Sequence, residues 1–138
     1  MRRYASHSLA IIFLILCSCG PSLPHIDGLD AAVWKNDKNG CTGERIKMME
    51  AVLSQKDKFL ALSELDVVDL LGRPDQQELY KRNQKFYYYF IKPSPDCNLP
   101  SWKESLQLVI RFNAMGLAKE ITTEDSQARK SEDEKTED

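Results

Sequence analysis

The sequence is poor in histidine and has no long apolar run. Both histidines, His7 and His25, lie in the first 25 residues, so the rest of the chain offers none to a catalytic triad or to a histidine-ligated metal. It also contains no glycine-rich phosphate loop, serine-nucleophile motif or carboxylate-rich metal motif. We therefore expect a protein without enzymatic activity, cofactor or metal site.

An excess of positive charge is also absent. The 138 residues carry 19 Lys and Arg against 21 Asp and Glu, a net charge of −2. Nucleic-acid-binding domains generally present a basic surface, so a nucleic acid is not an expected partner. The length is sufficient for one small domain.

The N-terminus has the pattern of a cleavable export signal. Two arginines precede an apolar run, residues 9–16, which is shorter than the roughly 20 residues a membrane-spanning helix needs. The end of this signal resembles the lipobox of bacterial lipoprotein precursors. Relative to Cys19, Leu16 is at −3 and the small residue Ser18 is at −1. The alternative, Cys17, would place the bulky Leu16 at −1. We predict that residues 1–18 are a signal peptide and that Cys19 carries lipid; an uncleaved anchor or plain secretory cleavage is the alternative.

The lipobox resemblance implies attachment to a membrane. The Cys19 thiol would be joined to diacylglycerol and its new α-amine acylated, and two or three acyl chains anchor a protein stably. Gly20 follows Cys19 where inner-membrane lipoproteins usually have Asp. This favours the outer membrane of a double-membraned bacterium, with the domain facing the periplasm.

Two cysteines, Cys41 and Cys97, remain in the exported part. An even pair in an oxidising compartment is expected to form a disulfide. A loop of this length would stabilise the fold by about 4 kcal/mol. Two free thiols are the alternative, and a zinc site is disfavoured because no histidine lies nearby to complete the ligands.

The folded domain is predicted to span residues 28–122. Residues 19–27 contain two prolines and no periodicity, which is typical of a tether. Residues 123–138 are almost wholly polar and cannot bury enough apolar surface to become ordered.

Two helices are predicted in the first half of this domain. The first begins near Thr42, with apolar residues at helical spacing at Ile46, Met49 and Leu53. The second begins at a capping box of Ser63 and Asp66. Its predicted buried stripe is Leu65, Val68 and Leu71.

After the second predicted helix, the spacing of apolar residues changes from a helical period to strict alternation. Gly72 and Pro74 predict a helix-to-strand turn. Strands are then predicted at residues 79–81, 86–91, 106–112 and 117–122. We therefore predict an α+β domain in which two short helices pack on one face of a three- to four-stranded antiparallel sheet.

The sequence also resembles the SmpA/OmlA (BamE-like) family of small outer-membrane lipoproteins. The resemblance is carried by the lipobox, by residues 70–74 (Leu-Leu-Gly-Arg-Pro), and by the aromatic segment 88–90 with 108–113 and Gly116. It covers roughly residues 59–122 and implies a helical pair on a three-stranded sheet, with the barrel-assembly machinery as partner. The same unit resembles the repeats of beta-lactamase inhibitory proteins, so a periplasmic inhibitor or ligand-binding module is the alternative.

The aromatic strand is the predicted binding surface. Alternation allows only one of the sets 86/88/90 and 87/89/91 to face the helices. Tyr and Trp are enriched at binding hot spots, so we predict that Tyr87, Tyr89 and Trp102 contact another envelope protein. The alternative is that the loop between the strands or the N-terminal segment covers this surface as a second small core.

Overall fold

The computed structural model describes residues 22–98 and 106–125. Its helices are α1 (Ala31–Asn36), α2 (Glu44–Ser54) and α3 (Glu64–Leu71), and its strands are β1 (Gln76–Tyr80), β2 (Gln84–Phe90), β3 (Leu106–Phe112) and β4 (Ala118–Asp125). The predicted α+β class is confirmed, with three helices in place of two. Cys19, Trp102 and the predicted signal peptide lie outside the described residues. No helix in the described part is long and apolar enough to cross a membrane.

The four strands form one antiparallel sheet in chain order, β1-β2-β3-β4. The β2–β3 register pairs Tyr87 with Ile110, and the β3–β4 register pairs Ile110 with Ile121. These three side chains share the face that packs against the helices, because directly opposed residues point to the same side of a sheet. β1 and β4 are the two edge strands.

The main core lies between the helices and this sheet face. Its fully buried members include Trp34, Val52, Val67 and Leu71 from the helices, and Tyr89, Leu108, Ile110 and Phe112 from the sheet. Burying such a side chain stabilises the folded state by about 1.5–3 kcal/mol relative to leaving it exposed. This gain determines which face each helix presents to the sheet.

The folded part begins before residue 28. Ile26, within the predicted tether, is 2% exposed and belongs to the core. Its neighbour Asp27 is held by Gln55, whose side chain accepts from the Asp27 N–H at 3.1 Å and donates to its carbonyl at 2.9 Å. The tether is therefore shorter than the composition indicated. The folded part also ends later than predicted, because β4 continues past residue 122 to Asp125.

Helix α1 was not predicted from the sequence. Asp30 caps it by accepting from the N–H groups of Ala32 and Val33 at 3.0 Å each. With six residues it is too short to show a periodic apolar face, and only Trp34 is buried. The Asp30 cap was the one local signal of its start.

Helix α2 begins one residue later than predicted, and its buried face is shifted from the predicted one, although Met49 is buried as expected. Its N-cap is Gly43 in the left-handed conformation, not Thr42. Ile46 is 43% exposed, whereas Arg45, Met48, Met49 and Val52 are buried. The prediction of Ile46 as a core residue is wrong. The helix is oriented so that Arg45 and Met48 face the core in its place.

Helix α3 begins at the predicted capping box, with Ser63 and Asp66 bonded reciprocally. Its predicted buried stripe is wrong at Leu65, which is 76% exposed. Apolar residues occupy most positions of this short helix, so spacing alone could not select the buried face. The buried residues are Val67, Leu70 and Leu71.

The predicted turn at Gly72 and Pro74 joins α3 to β1. Gly72 has φ 82°, and its N–H donates to the carbonyl of Val68 at 2.8 Å. A Cβ at this position would lie 2.9 Å from the Lys35 side chain. Glycine is therefore required here both by the positive φ and by the close approach of α1.

Candidate interaction surfaces

The two tyrosines predicted to bind a partner lie in the core. Tyr89 is fully buried, and its hydroxyl donates to the carbonyl of Gly72 at 2.9 Å. Tyr87 is 6% exposed and its hydroxyl donates to Glu64 at 2.9 Å. Burial, with this acidic partner, raises the pKa of Tyr87 to about 12. The prediction that Tyr87 and Tyr89 contact another protein is wrong, because the helices cover their face of β2.

The opposite face of the sheet is also closed at its centre. Tyr88 is 4% exposed, Phe90 3%, Val109 2% and Gln107 1%. The register places these residues together, since Tyr88 pairs with Val109 and Phe90 with Gln107. Neither face of the aromatic strand is therefore an open binding surface.

One end of the molecule is closed by a disulfide between Cys41 and Cys97, as the sequence predicted. The two Cα atoms are 5.4 Å apart and the cysteines are separated by 56 positions. The bond joins the turn before α2 to the connection after β2. We call this end, where β2 and β4 finish, the disulfide end.

A buried ion pair lies at the same end. The side chains of Arg45 and Asp75 are each 1% exposed and bond through Nη1 and a carboxylate oxygen. The guanidinium also donates to the carbonyls of Trp34 at 3.1 Å and Phe90 at 3.0 Å. It lies over the rings of Trp34 and Tyr89, 5.5 and 5.7 Å from their centroids.

The acidic partner of this pair is equally well bonded. Asp75 accepts from the N–H groups of Asn39 at 3.1 Å and Phe90 at 2.8 Å. The Arg45–Asp75 pair therefore connects α2 with the start of β1 and the end of β2. From the sequence alone, Arg45 and Asp75 would both be expected on the polar surface. No local sequence pattern indicates that they form a pair.

A second carboxylate orders the chain that leads into α2. Asp37 is 1% exposed and accepts from the N–H groups of Thr42 at 2.8 Å and Arg45 at 2.9 Å. Partial burial opposes its ionisation, but these hydrogen bonds outweigh burial and hold the pKa of Asp37 below its usual value. The role of this cluster is structural, because its acceptor atoms are occupied by the chain's own donors.

The opposite end of the sheet contains the β1–β2 turn (residues 81–83) and the β3–β4 turn (residues 113–117), and we call it the turn end. Glu64 ties α3 to the sheet there, accepting from Lys85 Nζ at 2.5 Å and the Tyr87 hydroxyl at 2.9 Å. The Glu64 N–H donates to the carbonyl of Gly116 at 3.1 Å. Partial burial raises the pKa of Glu64, but the bonds from Lys85 and Tyr87 prevail and the net pKa is lowered.

Replacing Glu64 by Gln should remove stability that depends on pH. A lowered folded-state pKa contributes stability above the group's ordinary value of 4.5, and this is lost as pH falls through the folded-state value. We expect Glu64→Gln to lower the free energy of unfolding by about 1–2 kcal/mol near pH 7. Urea unfolding at successive pH values should show the two proteins converging in acid. The exposed Glu50→Gln serves as control; a Glu64→Gln deficit that is constant with pH would contradict the assignment.

Most of the exposed large apolar side chains in the described part of the chain lie at the turn end. They are Leu60 (43% exposed), Leu65 (76%), Leu79 (69%), Tyr80 (51%) and Met115 (78%). They form two groups. The edge surface consists of β1 with Leu79 and Tyr80, and the turn surface consists of Leu60, Leu65 and Met115.

The edge surface lies on an edge strand of the sheet. Among the described residues β1 pairs with β2 alone, and all five of its side chains are exposed. The other edge strand, β4, carries charged residues along its length at Lys119, Glu120, Glu124 and Asp125. Charges of this kind discourage edge pairing, so β1 is the less protected edge.

The Tyr80 ring of the edge surface is held by its neighbours. It packs edge-to-face on Phe86 with ring centroids 6.0 Å apart. The Lys81 ammonium lies 5.9 Å from the centroid of the same ring. A side chain held in this way loses less conformational entropy when it binds a partner.

Comparison with known proteins adds no relative. No family model matches the chain, and neither curated proteins nor solved structures provide a match. The resemblance to the SmpA/OmlA family therefore depends on the sequence motifs alone.

Proposed function

We propose that the protein is a lipid-anchored lipoprotein of the cell envelope that acts as a non-enzymatic protein-binding module in outer-membrane protein assembly or envelope integrity. The lipobox at Cys19 supports the anchor. The turn at Gly72 and Pro74 and the α+β class support the SmpA/OmlA resemblance, which implies a helical pair on three strands where this domain has three helices and four strands. The observation that carries the binding role is the exposure of Leu79 and Tyr80 on the edge strand β1.

An open edge is suited to binding an extended segment of another protein. The backbone N–H and C=O groups along an unpaired edge accept a further strand, while alternate side chains supply specificity. Leu79 and Tyr80 are successive residues of β1 and so point to opposite faces of the sheet. An added strand would therefore meet one exposed apolar side chain on each face.

Photo-crosslinking from native membranes tests this role. With p-benzoylphenylalanine in place of Leu79 in the full-length lipoprotein, we expect a discrete adduct containing a subunit of the barrel-assembly machinery. The same replacement at Ile46, which is 43% exposed and lies near the disulfide end, is the matched control and should give no such adduct. An adduct with a soluble periplasmic enzyme would instead favour the inhibitor alternative. Equal, diffuse labelling at both positions would refute the edge as a binding site.

A charged edge should block the same contact. We expect Leu79→Lys to abolish co-purification with the partner, because lysine on an edge strand opposes strand addition. Stability should change by no more than about 0.5 kcal/mol, since Leu79 is a surface residue. Ile46→Lys should leave co-purification intact. Undiminished co-purification of Leu79→Lys would count against the proposal.

A further inference from the structure

The described chain starts close to the turn end. Lys58 Nζ donates to the carbonyl of His25 at 2.8 Å. Lys58 precedes the segment that pairs with the start of β4, where the Ala61 N–H donates to the Ala118 carbonyl and the Ala118 N–H to the Leu62 carbonyl, each at 2.9 Å. The N-terminal segment therefore approaches the domain beside the turn end.

The chain between this point and the proposed lipid is short. His25 is six residues after Cys19, and six extended residues span at most about 20 Å. A lipid on Cys19 would thus hold His25, and the turn end beside it, within that distance of the bilayer. This step rests on the lipid anchor of the proposed function.

The turn surface has the chemistry of a face that contacts lipid. Leu65 and Met115 are 76% and 78% exposed, the two highest values among the exposed large apolar residues. The same segments carry exposed side chains of both signs, which are Lys56, Asp57, Lys58, Lys119 and Glu120, and Lys58 also lies 3.7 Å from Asp27. Exposed apolar side chains of this kind can enter the acyl boundary of a bilayer, and lysines beside them can meet anionic headgroups.

The turn surface is also held in a fixed arrangement. The Glu64 N–H bonds the Gly116 carbonyl at 3.1 Å, and Ser63 forms a β-bridge with Leu117. Leu65 and Met115 immediately follow and precede these bonded residues. The two exposed side chains are therefore presented together by anchored backbone.

We propose that the turn surface rests on the bilayer that holds the lipid, with Leu65 and Met115 entering its interfacial region. In this orientation the strands run towards the membrane. The disulfide end points away from it, and the β1 edge faces sideways, open to a partner in the same membrane.

The test uses the mature lipoprotein in nanodiscs of phosphatidylethanolamine and phosphatidylglycerol. An environment-sensitive fluorophore is attached at Met115→Cys, with Leu65→Cys as a second probe and Ile46→Cys as the matched control. Interfacial side chains lie about 5–10 Å into the headgroup and acyl boundary, so nitroxide lipids labelled near the headgroup should quench the first two probes by about half. The probe at position 46 should not be quenched.

The outcomes separate this inference from the proposed function. Protein retained in the nanodiscs with no quenching at positions 115 and 65 would overturn the bilayer contact and leave the lipid anchor standing. Protein that leaves the nanodiscs on washing would overturn the anchor, and this inference with it. Binding at the β1 edge is measured independently by the crosslink from position 79.

Discussion

Arg45→Met should lower the free energy of unfolding by about 3–5 kcal/mol, because it leaves the Asp75 carboxylate buried without its cation. Both side chains are 1% exposed, so water cannot replace the lost partner. The variant also loses the hydrogen bonds to the Trp34 and Phe90 carbonyls and the contact with two aromatic rings. Urea denaturation measures the change directly.

Two further variants isolate the buried pair. Adding Asp75→Asn to Arg45→Met should cost much less than the sum of the single changes, since the second change removes the uncompensated charge. Arg111→Met breaks the more exposed pair with Glu120, whose atoms lie 2.8 Å apart, and should cost less than about 1 kcal/mol. A cost for Arg45→Met no larger than that for Arg111→Met would show that the pair does not hold the helices to the sheet.

The second large effect should come from the disulfide. We expect the double variant Cys41→Ser/Cys97→Ser to lose about 4 kcal/mol, because the bond closes a long loop in the unfolded chain. The cysteines are 56 positions apart. Guanidinium unfolding with and without a reductant provides the measurement. The reductant should destabilise the natural protein and leave the double variant unchanged; equal stability of the natural protein in both conditions would contradict the prediction.

The disulfide and the ion pair should not act independently. Asn39 donates its N–H to Asp75 at 3.1 Å, and its carbonyl accepts from the N–H of Ser94 at 3.0 Å. The Ser94 carbonyl in turn accepts from the N–H of Cys97 at 3.1 Å. Residues within one hydrogen-bonded network generally show non-additive effects. The loss on combining the cysteine and Arg45 variants should therefore differ from the sum of the two losses.

Local signals were sufficient for several elements of the fold. The Ser63 and Asp66 capping box, the turn at Gly72 and Pro74, and strand β3 at residues 106–112 were each predicted from a few neighbouring residues. The α+β class followed from the order of the helical and alternating patterns. The pairing of Cys41 with Cys97 followed from the prediction that Cys17 is removed with the signal peptide and that Cys19 carries lipid.

The sequence by itself thus determined most of the elements, with helix α1 the exception, because capping, turn chemistry and alternation act within a few residues. Only the tertiary structure decided which face each element buries. Tyr87 and Tyr89 alternate with Phe86 and Tyr88 along one strand, and the pattern is the same whichever set meets the helices. The packing of α1 and α3 on the odd-numbered set made those tyrosines core residues, and it left most of the exposed large apolar side chains of the described residues at β1 and the turn end. Burial depends on which distant segments are neighbours in space, and no local pattern carries that information.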